Sequence, residues 1–227
     1  MINQFTKNVK AAFIFAAILC LCISTYAKED AQRERPGKLF SPSKISLLED
    51  PGRDVWQKPE EILNVLDIKK GQIIADIGAG SGYLTLKLSE RVDSTGIIYA
   101  VDIQPEMLDY INKRLVEKGI KNVNLVLGTM DDPQLPPNSL DLAVLLSTYH
   151  EIEQPIGCIK KIKLALKPQG RLAILEFGDE SPIGPPLQVR LPEYLVINEL
   201  KHAGFTLSQR HTFLLPYQYF LIFTPSS

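Results

Sequence analysis

Apolar and polar positions fall into blocks along most of the chain, and the length of each block predicts an element. "QIIADIG" (72–78), "GIIYAVDI" (96–103), "VNLVLG" (123–128), "LDLAVLLS" (140–147) and "GRLAILEF" (170–177) are short, almost uninterrupted runs of aliphatic residues. Runs of this kind are strands covered on both faces. Between them the apolar positions change to three- and four-residue steps. Pro59, Glu60 and Glu61 open one such stretch, with Ile62, Leu63, Val65 and Leu66 on its apolar side. A proline in the first turn and acids near the positive end suit a helix start. Further helices are expected over Tyr83–Arg91, Pro105–Lys118 (Met107, Leu108, Ile111 and Leu115 inward), Gln154–Leu166 and Pro192–Ala203. "FTLSQRHTFLL" (205–215) and "YQYFLIFT" (217–224) close the chain as two strands around a tight turn at Pro216.

Strands that alternate with helices pair in parallel under helices on both faces. The last two strands have no helix between them and must pair antiparallel. The expected fold class is therefore α/β, a doubly wound, mostly parallel seven-stranded sheet with an antiparallel final strand.

The first 27 residues depart from this pattern. Lys7 and Lys10 precede the uncharged apolar run Ala11–Ser24, and Thr25-Tyr26-Ala27 places small residues at −3 and −1 of a cut before Lys28. The run is shorter than the roughly 20 residues preferred by a spanning helix. The expected division is a signal peptide or membrane anchor at 1–27, a proline-bearing linker or lid at 28–54 with little regular structure, and one folded domain at 55–227. Such a leader predicts an exported protein, periplasmic if bacterial, or one anchored with its domain on the outer side. The leader is the one segment expected to meet a membrane.

Charge narrows the partners. With 25 basic and 26 acidic residues the net charge is −1, which argues against nucleic acid or anionic lipid as the main partner. Lys160, Lys161, Lys163 and Lys167 read as a solvated helix face. Cys20 and Cys22 lie in the leader, so Cys158, on the apolar side of a helix, is left without a disulfide partner. His150, His202 and His211 are scattered, and no pair has metal-ligand spacing. No serine stands in a G-x-S-x-G turn, which excludes that class of hydrolase.

The chemistry concentrates in "ADIGAGSGYLTL" (75–86). Gly78, Gly80 and Gly82 follow the first strand, where open α/β sheets bind ligands, and glycines there admit positive φ and close approach. Asp102 ends the second strand, where an acid accepts both ribose hydroxyls of an adenosine. The third glycine comes one residue too early for the dinucleotide pattern G-x-G-x-x-G, and Asp76 just before the loop would repel phosphate. An acid there suits an amino group. The expected cofactor has an adenosine and no phosphates.

"ADIGAGSGYLT", "YAVDIQPEML", "LDLAVLLSTYHEI" and "LKPQGRLAILEF" resemble the ordered motifs of class I S-adenosylmethionine-dependent methyltransferases over about residues 55–224. The likeness is greatest to the small-molecule, type 11 branch. It implies S-adenosylmethionine as cofactor and a small-molecule acceptor. Asp76, Gly78 and Gly80 would line the methionine end, Asp102 would hold the ribose, and Ile103 would pack on the adenine. Ala79, Gly82, Tyr83, Met107, Thr129 and Ser147 complete the implied cofactor set. Many relatives carry Gly-Asp after the third strand. Here Gly128-Thr129 stands there, so Met130 and Asp131 are the candidates for the adenine.

Residues after the fourth strand are placed to face the methyl group. His150 is the candidate base, with Tyr149 or Glu151 to orient it or the acceptor. Glu176, ending the fifth strand, reaches the same rim. Trp56 could cap the pocket or staple the first helix to the sheet. "GDESPIGPPLQVR" (178–190) reads as a substrate loop in which Arg190 could hold an anionic acceptor. A nicotinamide-dependent oxidoreductase and a non-catalytic nucleoside-cofactor-binding protein are the alternatives.

If the leader is removed where its pattern indicates, N-terminal sequencing of protein recovered from expressing cells gives Lys28 as the first residue. An intact Met1 in the membrane fraction would instead identify an anchor.

Overall fold

Strand pairing in the computed structural model, which describes residues 38–226, involves β1 (Ile73–Ile77), β2 (Ile97–Asp102), β3 (Val123–Leu127), β4 (Leu140–Leu146), β5 (Leu166–Phe177), β6 (Phe205–His211) and β7 (Gln218–Pro225). The leader at 1–27 and the linker to residue 37 lie outside the described residues. The strands form one sheet in the order β3-β2-β1-β4-β5-β7-β6. β7 alone runs against its neighbours, antiparallel to both β5 and β6. The strand that is last in the chain is thus not at the edge. It is inserted between β5 and β6, and the edge strand β6 has the common direction.

Among the described residues, six α-helices accompany the sheet: α1 (Arg53–Gln57), α2 (Pro59–Val65), α3 (Tyr83–Val92), α4 (Pro105–Lys118), α5 (Pro155–Ala165) and α6 (Glu193–His202). Alternation along the strands sorts the side chains. Ile74, Ile98, Leu142, Val144, Leu175 and Phe220 meet Ile62 and Leu63 of α2 and Leu84, Leu88 and Val92 of α3. Ala75, Ile77, Ala143, Leu145, Ile174 and Leu221 meet Cys158, Ile159 and Ile162 of α5 and Val196 and Leu200 of α6. Cys158 is buried there, and burial pushes its thiol up to about 12, as its place on an apolar helix face implies.

Three boundaries differ from the sequence expectation. Helix α5 stops at Ala165, and β5 already begins at Leu166, paired with Leu140. Pro168 explains this, because the residue before a proline avoids the helical region. Strand β6 ends at His211, since the chain turns to bury Leu214, which is 1% exposed. Residues 42–49, expected to be irregular, form a 3-10 helix (Pro42–Glu49), followed by α1. This segment is tied to the sheet's carboxyl edge. The Phe40 N–H donates to Glu151 Oε1 at 3.2 Å, Gln104 Nε2 to Phe40 O at 3.0 Å, and Arg114 to Glu49 at 2.6 Å.

Phe220 lies fully buried in β7 against His211 and Phe213. Phe220→Ala should cost about 3–5 kcal/mol of stability. Urea unfolding checks this as a lower midpoint at unchanged slope.

Candidate active site

The carboxyl ends of β1, β2, β4 and β5 bring the predicted residues to one edge. After β1 the chain reverses through Gly78, Gly80 and Gly82, all at positive φ. Gly78 leaves no alternative: a Cβ there would stand 2.2 Å from Thr148 Cγ2, the side chain that follows β4. Gly82 begins α3, and Ala79 is buried beside Ala100, Ile111 and Leu115.

Asp102 braces this loop. Its Oδ2 accepts from the Gly80 N–H at 2.9 Å and its Oδ1 from the Gln104 N–H at 3.0 Å. Burial nevertheless raises its pKa. An ionised carboxylate has about four acceptor positions, so these backbone bonds leave capacity for a hydroxyl. Ile103 follows at the surface of the same turn, and Met107 is buried in the first turn of α4. Gly128 N–H donates to Asp102 O at 3.0 Å, which brings the exposed turn of Thr129, Met130 and Asp131 beside that strand end. There the Thr129 hydroxyl donates to Asp131 Oδ1 at 2.9 Å.

Asp76 is 2% exposed, and burial pushes its carboxyl up to about 6. One of its oxygens accepts from the Thr85 hydroxyl at 2.6 Å. A cationic group brought alongside would restore its ordinary acidity.

Beyond β4 the chain passes through Ser147, at φ 56, into a 3-10 turn, Tyr149–Glu151. His150 and Glu176 are 4% and 1% exposed. Glu176 Oε1 accepts from the His150 backbone N–H at 3.3 Å, and Oε2 lies 3.0 Å from Nδ1. A carboxylate only accepts, so this partner assigns the proton to Nδ1 and the lone pair to Nε2. Nε2 is 3.9 Å from Glu151 Oε1, and burial pushes the Glu151 carboxyl up to about 7.

Three candidates have other occupations. Tyr149 is fully buried in the core under α5 and α6, and its hydroxyl donates to Glu199 of α6 at 2.9 Å. Its side chain is thus engaged in the core rather than at the rim. Arg190, the candidate for an anionic acceptor, donates to the carbonyls of Gly178, Asp179, Ser181, Ile183 and Pro185 and so staples the loop after β5. The Tyr83 ring lies beneath the Arg53 guanidinium, 3.8 Å from its centroid, and its hydroxyl donates to Asp54 at 2.5 Å. Trp56 stands 5.8 Å from both Phe177 and Tyr217, an aromatic group beside Glu176 at the ends of β5 and β7.

Sequence reading passed over the buried chain Gln57–Gln218–Ser147. Gln57 Nε2 donates to Gln218 Oε1 at 2.5 Å, and Gln218 Nε2 donates to Ser147 Oγ at 2.7 Å. The signal was present: Gln218 interrupts the apolar run of the last strand, and Arg53, Trp56 and Gln57 have one-face helical spacing.

The residues fit a nucleoside cofactor with an amino-acid end. The glycines admit close approach, Asp102 has acceptor capacity for hydroxyls, and Asp76 is a buried acid that gains from a cation. Two buried side-chain atoms among the described residues lack a hydrogen-bond partner: Ser81 Oγ, within this loop, and Arg53 Nε, of the side chain that covers Tyr83 just after it.

Comparisons with known proteins agree with this geometry. A family model described as a methyltransferase domain matches residues 68–203. A ubiquinone/menaquinone biosynthesis C-methyltransferase of Psychromonas ingrahamii is 33% identical over 138 residues, 60% of this chain and 54% of that protein. The aklanonic acid methyltransferase of Streptomyces sp. (strain C5) is 28% identical over 114 residues, 49% of this chain and 51% of that protein. The chain thus spans about half the length of these curated relatives. A solved SAM-dependent methyltransferase from Aquifex aeolicus superposes with a TM-score of 0.78 at 31% identity, covering 82% of this chain and 98% of that one.

Because burial raises Glu151 from 4.5 to about 7 in the folded state, the folded protein holds this proton more tightly than the unfolded chain. The group therefore favours folding fully below pH 4.5, and that contribution is lost as pH rises through 7. Glu151→Gln should flatten this part of the stability profile between about pH 4.5 and 7, checked by urea denaturation at several pH values.

Proposed function

The chain belongs to the methyltransferase-domain family; from that premise we propose that it is an S-adenosylmethionine-dependent enzyme that methylates a small, ring-bearing acceptor after His150 has removed the acceptor's proton. The observation that carries this reading is the buried Glu176–His150 pair beside the glycine loop.

When bound, S-adenosylmethionine supplies a methyl group already activated on a sulfonium. Alignment then provides much of the rate, and a base is needed only where the acceptor is protonated at working pH. In our reading His150 Nε2 takes the proton from an acidic C–H or O–H and so leaves an electron pair for the new bond to carbon. Glu176 holds the ring and stabilises the imidazolium from the Nδ1 side, while Glu151 adds negative charge near Nε2. Asp76 would hold the cofactor's ammonium group and Asp102 its ribose hydroxyls. Gly78 and Gly80 would admit it close to the backbone, and Ile103, Met130 and Asp131 would hold the adenine.

Trp56, Phe177 and Tyr217 support an apolar, planar acceptor. The C-methyltransferase among the relatives supports carbon as the receiving atom. The leader supports an address outside the cytosol, with the protein either cleaved or anchored, and the cofactor must then be supplied there.

His150→Asn should lower kcat by about 10²–10⁴. Glu176→Gln should lower it less and move the acidic limb of the pH profile to lower pH. Both variants should bind S-adenosylhomocysteine as wild type does. The checks are titration calorimetry and release of S-adenosylhomocysteine with a panel of phenols, quinols and β-dicarbonyl compounds. Full turnover by His150→Asn on an accepted compound would remove His150 as the base.

A further inference from the structure

We propose that Arg53, on the short helix α1, receives the carboxylate of the cofactor's amino-acid end and completes with Asp76 a two-charge site for an α-amino acid. This rests on the S-adenosylmethionine reading above and adds a residue from outside the glycine loop.

An amino-acid terminus carries an ammonium and a carboxylate on one carbon. A site for it needs an anion and a cation side by side, not already neutralising each other. Asp76 supplies the anion, and its bonded side-chain partner is the neutral Thr85 hydroxyl. Arg53 supplies the cation from α1, over Tyr83 in the same turn of α3 that carries the Thr85 partner of Asp76. Its guanidinium lies flat on the Tyr83 ring at the start of α3. Its hydrogen bonds go to neutral oxygens, Leu48 O at 2.9 Å and Gln57 Oε1 at 3.4 Å. Its Nε is buried with no partner.

Burial works against the charge on Arg53, and the surrounding Tyr83, Glu49, Asp76 and Asp54 favour it. Asp54 is itself engaged by Tyr83 and Lys87, and Glu49 by Arg114. A half-buried cation with neutral partners and donors to spare is an unfavourable arrangement. A carboxylate presented to its fork would relieve it with charge-assisted hydrogen bonds. The position is held from several sides: Gln57 anchors α1 to β7 through Gln218, and Leu48 packs where a Cβ on Gly80 would come within 3.2 Å.

The test compares two ligands with the same thioether nucleoside. S-adenosylhomocysteine has the amino-acid end, and 5′-methylthioadenosine lacks it. Both are titrated into full-length wild type, Arg53→Met and Arg53→Lys. Arg53→Met should bind S-adenosylhomocysteine at least about tenfold more weakly and methylthioadenosine within about twofold of wild type. Arg53→Lys should fall between, since it keeps the charge but not the planar fork. An unchanged affinity for S-adenosylhomocysteine in Arg53→Met overturns the proposal. Equal losses for the two ligands also overturn it, because Arg53 would then be supporting the pocket wall. Wild type that binds neither ligand defeats the cofactor reading itself, whatever Arg53 does.

Discussion

The contact between Gly78 and Thr148 is the constraint around which the rest of the site is arranged. The Thr148 side chain occupies the space that any Cβ at residue 78 would need, so the turns after β1 and β4 close on each other. β1 and β4 are neighbours in the sheet, and close contact of their two turns sets where a ligand can lie. The reversal after Gly78 aims the Gly80 N–H at Asp102, which joins β2 to the same frame. On the other side, Thr148 leads at once into the turn that carries His150. Cofactor loop and candidate base are thus positioned by one steric fit rather than by separate devices.

Polar groups buried around this frame do the work of placement. Gln57 and Gln218 are fully buried, and each has a partner, as buried amides must. Their chain of hydrogen bonds runs from α1 through β7 to Ser147, the residue before Thr148. Helix α1 is therefore tied to the turn that carries His150 through side chains in a medium where such bonds are strong. Arg190 plays a comparable part on the far side, with its guanidinium gathered into the carbonyls of the loop after β5.

Electrostatics at this edge run against the folded state. Asp76, Asp102 and Glu151 are all shifted toward the neutral form, each by burial first. Acids arranged in this way mark functional edges, because a cationic ligand or a transferred proton relieves the cost. Beside them Glu176 meets His150 through both the backbone N–H and the ring Nδ1, which fixes the ring in place.

The sequence by itself determined the layers and the location of the chemistry. The change from strand-like apolar runs to helical spacing is local, and so are the glycine loop and the acids at strand ends, so periodicity and turn residues sufficed for the α/β sheet and for the reversed last strand. Only the tertiary structure decided which side of each turn a residue faces. Tyr149 and His150 are adjacent in the chain, yet one enters the core toward Glu199 and the other meets Glu176. Arg190 looked like an anion receptor because its charge is legible in the sequence, whereas the five carbonyls around it depend on the path of a loop. Arg53 and Gln57 escaped notice for the converse reason: their meaning lies in partners distant in the chain, Asp76, Tyr83 and Gln218, which become neighbours when the sheet is assembled and α1 closes over its carboxyl edge.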